Sequence, residues 1–572
     1  MFSSVILALY FFSFFPIPSL ASIRKHSECH CFPGDSCWPS PSQWSEFNRT
    51  VDYRLVATTP IASLCHTNDQ FATYNASECD TLRAKWDFPQ THYESSSSIM
   101  SRFYTNQSCD PFLAPSAACI IGTYVQYSVR AQSAADVQKT IKFTTAHDIR
   151  LVIRNTGHDY LGKSTGAGAV AIWMHHLKDI EFIDYKSSSY TGKAIKVGAG
   201  VQIFESNAAA SKQGLTVVGG NCRTVGLAGG YSQGGGHGQL VSLYGLAADQ
   251  VLEWEVVTST GKLVTATPHN DHKDLWWALS GGGGGTYGVV VSMTSKAHKE
   301  MRTATANLTF TSIGVTETTF DDAVHLFLNS TLGPLLDARG AAVWYMLRDA
   351  FEITPITLPS GSKKDLQAIM APLLTGLDQA NISYSYFIEE FPTWYSSFET
   401  MSPDVNITAD DLGGRFIPRS LVDTDSSTLV ERFRNIVNYG AVVSGISVNA
   451  SISYATKYFP TNSVNPAWRD LAIGIVVGMT QSGTNKSLNR EGQRLITNVL
   501  LPELEELTPN GAAYLNEADP YQPNWKYTFY NDKYDRLLRI KNKYDPRNIF
   551  YGTKAVGSDF WVEKADGRLC RA

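Results

Sequence analysis

The side chains able to do chemistry in this sequence sit among glycines. Gly157 to Ser164 reads GHDYLGKS and fits the phosphate-loop pattern G-x-x-x-x-G-K-[ST] at every position. In such a loop backbone N–H groups cradle phosphates while the lysine adds charge. Gly283 to Gly288 reads GGGTYG and fits the dinucleotide pattern G-x-G-x-x-G. Within the first stretch lies His158, and Cys222 stands alone in GGNCRTVGLAGGYSQGGGHG. An imidazole and a thiol are nucleophiles, able to attack a substrate or to carry a cofactor. Near the end, AAYLNEAD carries a phenol at Tyr514 and an amide at Asn516.

What these residues do depends on the elements that hold them. A phosphate loop runs straight into a helix whose N-terminus faces the phosphates. After Ser164 comes TGAGAVAIWM, glycine-rich and then strand-like. A dinucleotide turn needs a strand before the glycines and a helix after them. Here the helix DLWWALS comes first and the strand YGVVVSM follows. Both nucleotide patterns fail on context. Glycine-rich loops remain, and these let backbone N–H groups approach a diphosphate closely.

The surrounding pattern is α+β. TYVQYSV alternates as a strand does, and SAADVQKTIKFTTAH opens with a Ser-x-x-Asp capping box and sets Val137 and Ile141 on one helical face. RLVIRNT, AVAIWM and AIKVGAG read as strands, VQIFESNAAASKQG as a helix, and VLEWEVVTSTGKLVTAT as a hairpin. We expect a leader at 1–21, a disulfide-rich extension at 22–118, a first α+β domain at 119–300, a second at 301–505 and a distinct tail at 506–572.

The 572 residues suffice for two or more cores, with 43% hydrophobic and 18% charged residues. A net charge of −5 gives no reason to expect nucleic acid or an anionic membrane as partner. Val5 to Phe15 is an apolar run too short to span a bilayer, followed by Ser19 and Ala21 as small residues at a cleavage site. It departs from the usual signal peptide in having no Lys or Arg before the run. Sequons begin at Asn48, Asn75, Asn106, Asn307, Asn329, Asn381, Asn406, Asn449 and Asn485, so N-glycans and passage through the secretory pathway are expected. Cys29, Cys31, Cys37, Cys65, Cys79, Cys109, Cys119 and Cys570 should then pair. A zinc site on Cys29, Cys31 and Cys37 lacks a second pair at zinc spacing, and no metal is expected. Cys222 makes the count odd, which points to a free thiol, an intermolecular bridge or a covalent attachment.

RNTGHDYLGKSTGAGAVAIW, NCRTVGLAGGYSQGGGHG, LWWALSGGGGGTYGVVVS, NEAD, IKNKYDP and DGRLC occur in this order. Together they resemble the berberine-bridge-enzyme-like branch of the vanillyl-alcohol-oxidase flavoproteins, above all the secreted fungal isoamyl-alcohol-oxidase-like proteins. The resemblance spans nearly the whole mature chain. It implies a PCMH-type FAD-binding domain plus an α+β substrate domain, with the C-terminal tail returning to the FAD domain.

Residue by residue, the resemblance implies that His158 bonds to the 8α-methyl of FAD and Cys222 to flavin C6. That would account for the odd cysteine. Asn155, Thr156, Gly157 and Asp159 flank His158 in the cofactor segment. Thr224, Val225, Gly226, Gly229 and Gly230 match the loop around the pyrophosphate, followed by Gly235, Gly236 and His237. Gly288 and Val290 match backbone near the adenosine and ribityl portions, and Asn548 a tail residue near the ring. The residue after the cysteine is usually proline and here is Arg223. A cation there would favour the thiolate. Tyr514 is the candidate base with Asn516 beside it, and Arg415 a candidate cation to lower its pKa. Glu517 and Asp519 read as anchors of the tail. Tyr384, Tyr386 and Trp394 are candidate pocket residues.

The implied activity is hydride removal from an alcohol or related small substrate, with dioxygen as acceptor giving hydrogen peroxide. The alternatives are a biosynthetic dehydrogenase or oxidative cyclase of a fungal secondary metabolite, and a flavin-binding protein without turnover.

Overall fold

The computed structural model describes residues 28–402, 406, 410–451 and 461–572. The expected leader lies outside them. The cysteine-rich segment that follows is not a separate unit. Ser40 caps α1 (Pro41–Thr50), whose Trp44 and Phe47 stack on Tyr127 and Phe143. Strand β1 (Leu55–Ala57) then pairs with β2 (Tyr127–Arg130) of the next domain. Three local disulfides, Cys31–Cys37, Cys65–Cys79 and Cys109–Cys119, tie this segment to itself.

A first sheet forms around β2, β3 (Leu151–Arg154) and β4 (Val170–Trp173), with β2 and β3 each parallel to β4. The crossover helix α2 (Ala134–Ala146) starts at the capping box the sequence announced. Ser133 Oγ accepts from the Asp136 N–H, and the Asp136 carboxylate accepts from the Ser133 N–H. Val137 and Ile141 are buried beneath it.

A second, antiparallel sheet comprises β5 (Ile180–Lys186), β6 (Thr191–Gly198), β7 (Val251–Val257), β8 (Leu263–Ala266) and β9 (Val289–Lys296), in the order β8-β7-β9-β6-β5. The hairpin read from VLEWEVVTSTGKLVTAT is β7–β8, with Val257 opposite Leu263. Helix α3 (Ile203–Ser211) follows β6, and α4 (Lys273–Leu279) precedes the glycines before β9. After Ser164 the chain enters β4 and no helix, so the phosphate-loop match is a coincidence of pattern.

The third sheet has seven antiparallel strands: β10 (Thr303–Thr311), β11 (Ala341–Met346), β12 (Ala350–Pro359), β13 (Tyr384–Phe391), β14 (Asp410–Pro418), β15 (Val442–Ser447) and β16 (Leu471–Thr480). Their order is β13-β10-β12-β11-β15-β16-β14. Helices α5 (Lys363–Gln379) and α6 (Arg419–Asn438) cover one face. Alternation along each strand sends neighbours to opposite faces. Ile417 joins the core under the helices, while Phe416 joins the core shared with the first half of the chain. The sheet thus turns one face toward the glycine-rich loops.

The tail closes the structure. In α7 (Tyr534–Tyr544) the buried Lys541 ammonium donates to the carbonyls of Thr286 and Phe550 and pairs with Asp545 at 2.8 Å. Cys570 bonds to Cys29, joining the two ends of the described chain.

Candidate active site

Strand β3 delivers the loop that carries His158. Gly157 has φ +84°, and a Cβ there would lie 2.8 Å from Nη1 of Arg154, so only glycine fits. His158 Nε2 then meets Thr224 Oγ1 at 2.8 Å. Cys222 Sγ lies 3.8 Å from the same oxygen. Two residues 64 positions apart in sequence therefore converge on one hydroxyl.

Burial and the nearby His92 push the His158 pKa down to about 3, so the ring is neutral. Burial raises the Cys222 pKa, opposed by hydrogen bonds from Thr224 and the Val225 backbone. Arg223 is drawn toward the helix that carries Phe398 and Glu399. Its guanidinium pairs with Glu399 at 2.8 Å, bonds to the carbonyls of Phe398 and Ser402 and sits over the Phe398 ring. The expectation that Arg223 favours the thiolate is corrected: adjacency in sequence does not aim the side chain at its neighbour.

The rest of the cofactor segment forms a cradle. Asn155 Nδ2 donates to Ala199 O at 2.6 Å. A Cβ on Gly226 or Gly229 would lie 2.5 or 2.9 Å from that nitrogen. Thr156 is buried, and the Asp159 carboxylate accepts from the Lys163 N–H. Ile203 N–H donates to Val225 O, and Gln202 Nε2 to Thr224 O. A Cβ on Gly284 would lie 2.9 Å from Cα of Gly230. Gly288 has no room for one beside Val256, and the buried Val290 pairs with Val256 in the second sheet. Asn548, at φ +54°, receives Trp561 Nε1 on its carbonyl.

The cradle leaves buried polar atoms without a protein partner: Oδ1 of Asn155, Asn221 and Asn548, Oε1 of Gln233, and Nδ1 of His237. Orphans of this kind are costly in a folded protein. Together with the glycines they fit a bulky polar group lying along these loops, as FAD would.

On the other side of the glycines, Gly235 (φ +133°) and Gly236 (φ +77°) turn the chain toward the tail. The Gly236 N–H and Asn516 Nδ2 both donate to the Tyr514 hydroxyl oxygen, at 3.3 and 2.7 Å. His237 Nε2 lies 3.0 Å from both carboxylate oxygens of Glu517. Burial favours the neutral His237 ring, but the Glu517 carboxylate outweighs it and raises the pKa. His237, Tyr514 and Glu517 line a pocket with Phe416, Ile446 and Trp468.

This geometry does not bring the expected cation to Tyr514, whose oxygen instead accepts from Asn516 and Gly236. Burial and the Glu517 charge both push its pKa up. Arg415 gives no relief. It is bound to the side chain and carbonyl of Thr508 and lies 3.6 Å from Glu505. Tyr384 and Tyr386 sit on the edge strand β13 and pack against the core under the helices, with Tyr384 bonded to Asp378. Trp394 is enclosed against Phe398. The alternate aromatics are sheet packing.

The residue that sequence reasoning passed over is Glu517, taken for a tail anchor. A local signal existed for it, an acid directly after the Tyr-x-Asn element.

Fold and cradle define a flavin-dependent oxidoreductase. Residues 125–267 match the family described as FAD binding domain, and 513–557 the one described as berberine and berberine like. The FAD-linked oxidoreductase sor8 of Hypocrea jecorina (strain QM6a) is 47% identical over 97% of this chain and 95% of its own length. The VAO-type flavoprotein MtVAO615 from Myceliophthora thermophila C1 superposes with a TM-score of 0.90 at 40% identity, over 95% of this chain and 100% of that one. The glucooligosaccharide oxidase of Acremonium strictum, with 6-S-cysteinyl, 8α-N1-histidyl FAD, shares the fold at a TM-score of 0.60 and 17% identity, over 76% and 92% of the two chains. The chain belongs to the FAD-linked oxidoreductases of the vanillyl-alcohol-oxidase type, in their berberine-bridge-like branch.

Proposed function

We propose that this protein is a secreted oxidase that holds FAD through two covalent bonds, from His158 and Cys222, and dehydrogenates an uncharged, largely apolar alcohol. The observation that carries the reading is the meeting of His158 Nε2 and Cys222 Sγ on Thr224 Oγ1. The Acremonium oxidase, which carries both kinds of bond, supports it by analogy. Bound FAD would supply the hydride acceptor, with dioxygen as the final acceptor giving hydrogen peroxide.

The chain's own residues do the rest. Phe416, Ile446 and Trp468 give the pocket apolar walls that suit an uncharged skeleton and exclude water. Glu517, held by His237, accepts the proton of the substrate hydroxyl. The Tyr514 oxygen is fixed by Asn516 and Gly236, so its O–H serves as an orienting donor and not as the base.

Four disulfides, the apolar run at Val5 to Phe15 and the sequons support secretion. None of the sequon asparagines is buried. Among the described residues no helix is long and apolar enough to cross a membrane.

The test is acid precipitation of purified protein. The pellet should stay yellow in wild type, in His158→Ala (cysteinyl bond alone) and in Cys222→Ala (histidyl bond alone). The double variant should release all flavin. A wild-type supernatant that carries the flavin would sink the reading.

A further inference from the structure

Thr224 sits between the two residues proposed to carry the flavin, and its own position is unusually constrained. The carbonyls of Arg223, Thr224 and Val225 accept in turn from Phe204 N–H, Gln202 Nε2 and Ile203 N–H, so the start of α3 fixes three consecutive residues. The Thr224 hydroxyl is thereby presented to His158 Nε2 at 2.8 Å and to Cys222 Sγ at 3.8 Å.

A hydroxyl has one hydrogen to give and lone pairs to receive. If it gave that hydrogen to His158, the imidazole would carry its proton on Nδ1 and have no lone pair there. In the opposite arrangement His158 donates from Nε2–H into Thr224 Oγ1, and the threonine hydrogen points at the Cys222 sulfur. Only this second arrangement leaves both groups reactive, with a lone pair on Nδ1 and a donor favouring the thiolate.

We infer that the Thr224 hydroxyl is a shared positioning contact for both covalent links, directing the flavin bond of His158 to Nδ1 and priming Cys222 at the same time. The inference rests on the two-bond reading above. Each link forms with loss of two protons, one from the attacking residue and one from the flavin carbon. For His158 an N–C bond forms, an 8α C–H bond breaks, and the Nε2 proton, held against Thr224 Oγ1 until then, is lost to solvent. For Cys222 an S–C bond forms and a ring C–H bond breaks. Each step leaves two electrons on the flavin, and dioxygen removes them as hydrogen peroxide.

The test uses secreted, purified protein harvested early and late in expression. Peptides containing His158 and Cys222 are scored by mass for attached flavin, and released histidylflavin is compared with Nδ1- and Nε2-linked standards. Wild type should carry both links, with the histidine joined through Nδ1, and Thr224→Ser should match it. In Thr224→Val, early occupancy at both sites should fall about tenfold or more, the loss expected for one hydrogen bond to an ionising group. Thr224→Ala replaces it, with the same expectation, if the valine variant is not secreted. A wild type without covalent flavin overturns the two-bond reading and this inference with it. Three results overturn the Thr224 role alone: wild-type linkage through Nε2, normal occupancy in the valine or alanine variant, or loss at only one of the two sites.

Discussion

Replacing Glu517 with glutamine separates two accounts of proton removal, because the accounts predict opposite signs. Glutamine keeps the shape and the acceptor oxygen but removes the charge. Both carboxylate oxygens lie 3.0 Å from His237 Nε2. At an effective dielectric of about 20, charges at that distance interact by roughly 5 kcal/mol. The Glu517 side chain is 26% exposed, so solvent screening cuts this to about half or less. Without that interaction the buried His237 ring turns neutral. The Tyr514 phenol, now held up partly by the same charge, becomes easier to ionise. If the phenol were the base, Glu517→Gln would leave flavin reduction unchanged or speed it. If Glu517 is the base, reduction should slow by about 10² to 10⁴-fold. The assay is anaerobic stopped-flow bleaching of the flavin, using whichever alcohol in a panel bleaches wild type fastest. Tyr514→Phe should cost less than Glu517→Gln. Wild-type or faster reduction in Glu517→Gln, with collapse in Tyr514→Phe, would refute the assignment.

Other outcomes follow from the same contacts. Denatured, unreduced holoprotein should give no thiol titre, since eight cysteines are paired and the proposed flavin bond would consume Cys222; a stoichiometric titre contradicts this. Lys541→Met strands the fully buried Asp545 and should cost about 3 to 5 kcal/mol, read as a lowered melting temperature. Burial pushes the His92 pKa down to about 4. An unfolded histidine titrates near 6.5, so the unfolded state gains protons first as pH falls. Stability should therefore decline between about pH 6.5 and 4, by up to about 3 kcal/mol from His92, and His92→Gln should flatten that slope in thermal melts. Arg223→Ala should lower thermal stability and leave the cysteinyl link at wild-type occupancy, which peptide mass will check.

Local chemistry made much of the cofactor half legible. The capping box of α2, the β7–β8 hairpin and the strand after Ser164 depend on residues a few positions apart, so pattern and structure agree. The same holds for glycines at positive φ such as Gly157, where the sequence records a steric need. The errors came where direction mattered more than position. Tyr384 and Tyr386 alternate as a pocket wall would, but alternation cannot say which face of a sheet looks inward. Arg223 adjoins Cys222 in the chain and turns to Glu399 in space. The His237–Glu517 contact spans 280 residues, and no local signal reports a pairing of that range.

The distance between those two residues also explains why the tail must come back. Asn516 Nδ2 reaches both the Gly230 carbonyl, at 2.8 Å, and the Tyr514 hydroxyl, at 2.7 Å. A Cβ on Gly234 would collide with the same amide at 2.5 Å. One side chain thus braces the glycine loop while it fixes the phenol in the pocket lined by His237 and Glu517. The next residue, Glu517, then falls against His237, which the same glycines have turned to face it. The cradle and the His237–Glu517 pair are therefore two sides of one contact surface to which the tail contributes. Asn516→Ala should weaken both together, lowering flavin occupancy and the rate of flavin reduction in the molecules that remain loaded. Loss of rate at full occupancy would mean that the amide serves the pocket alone.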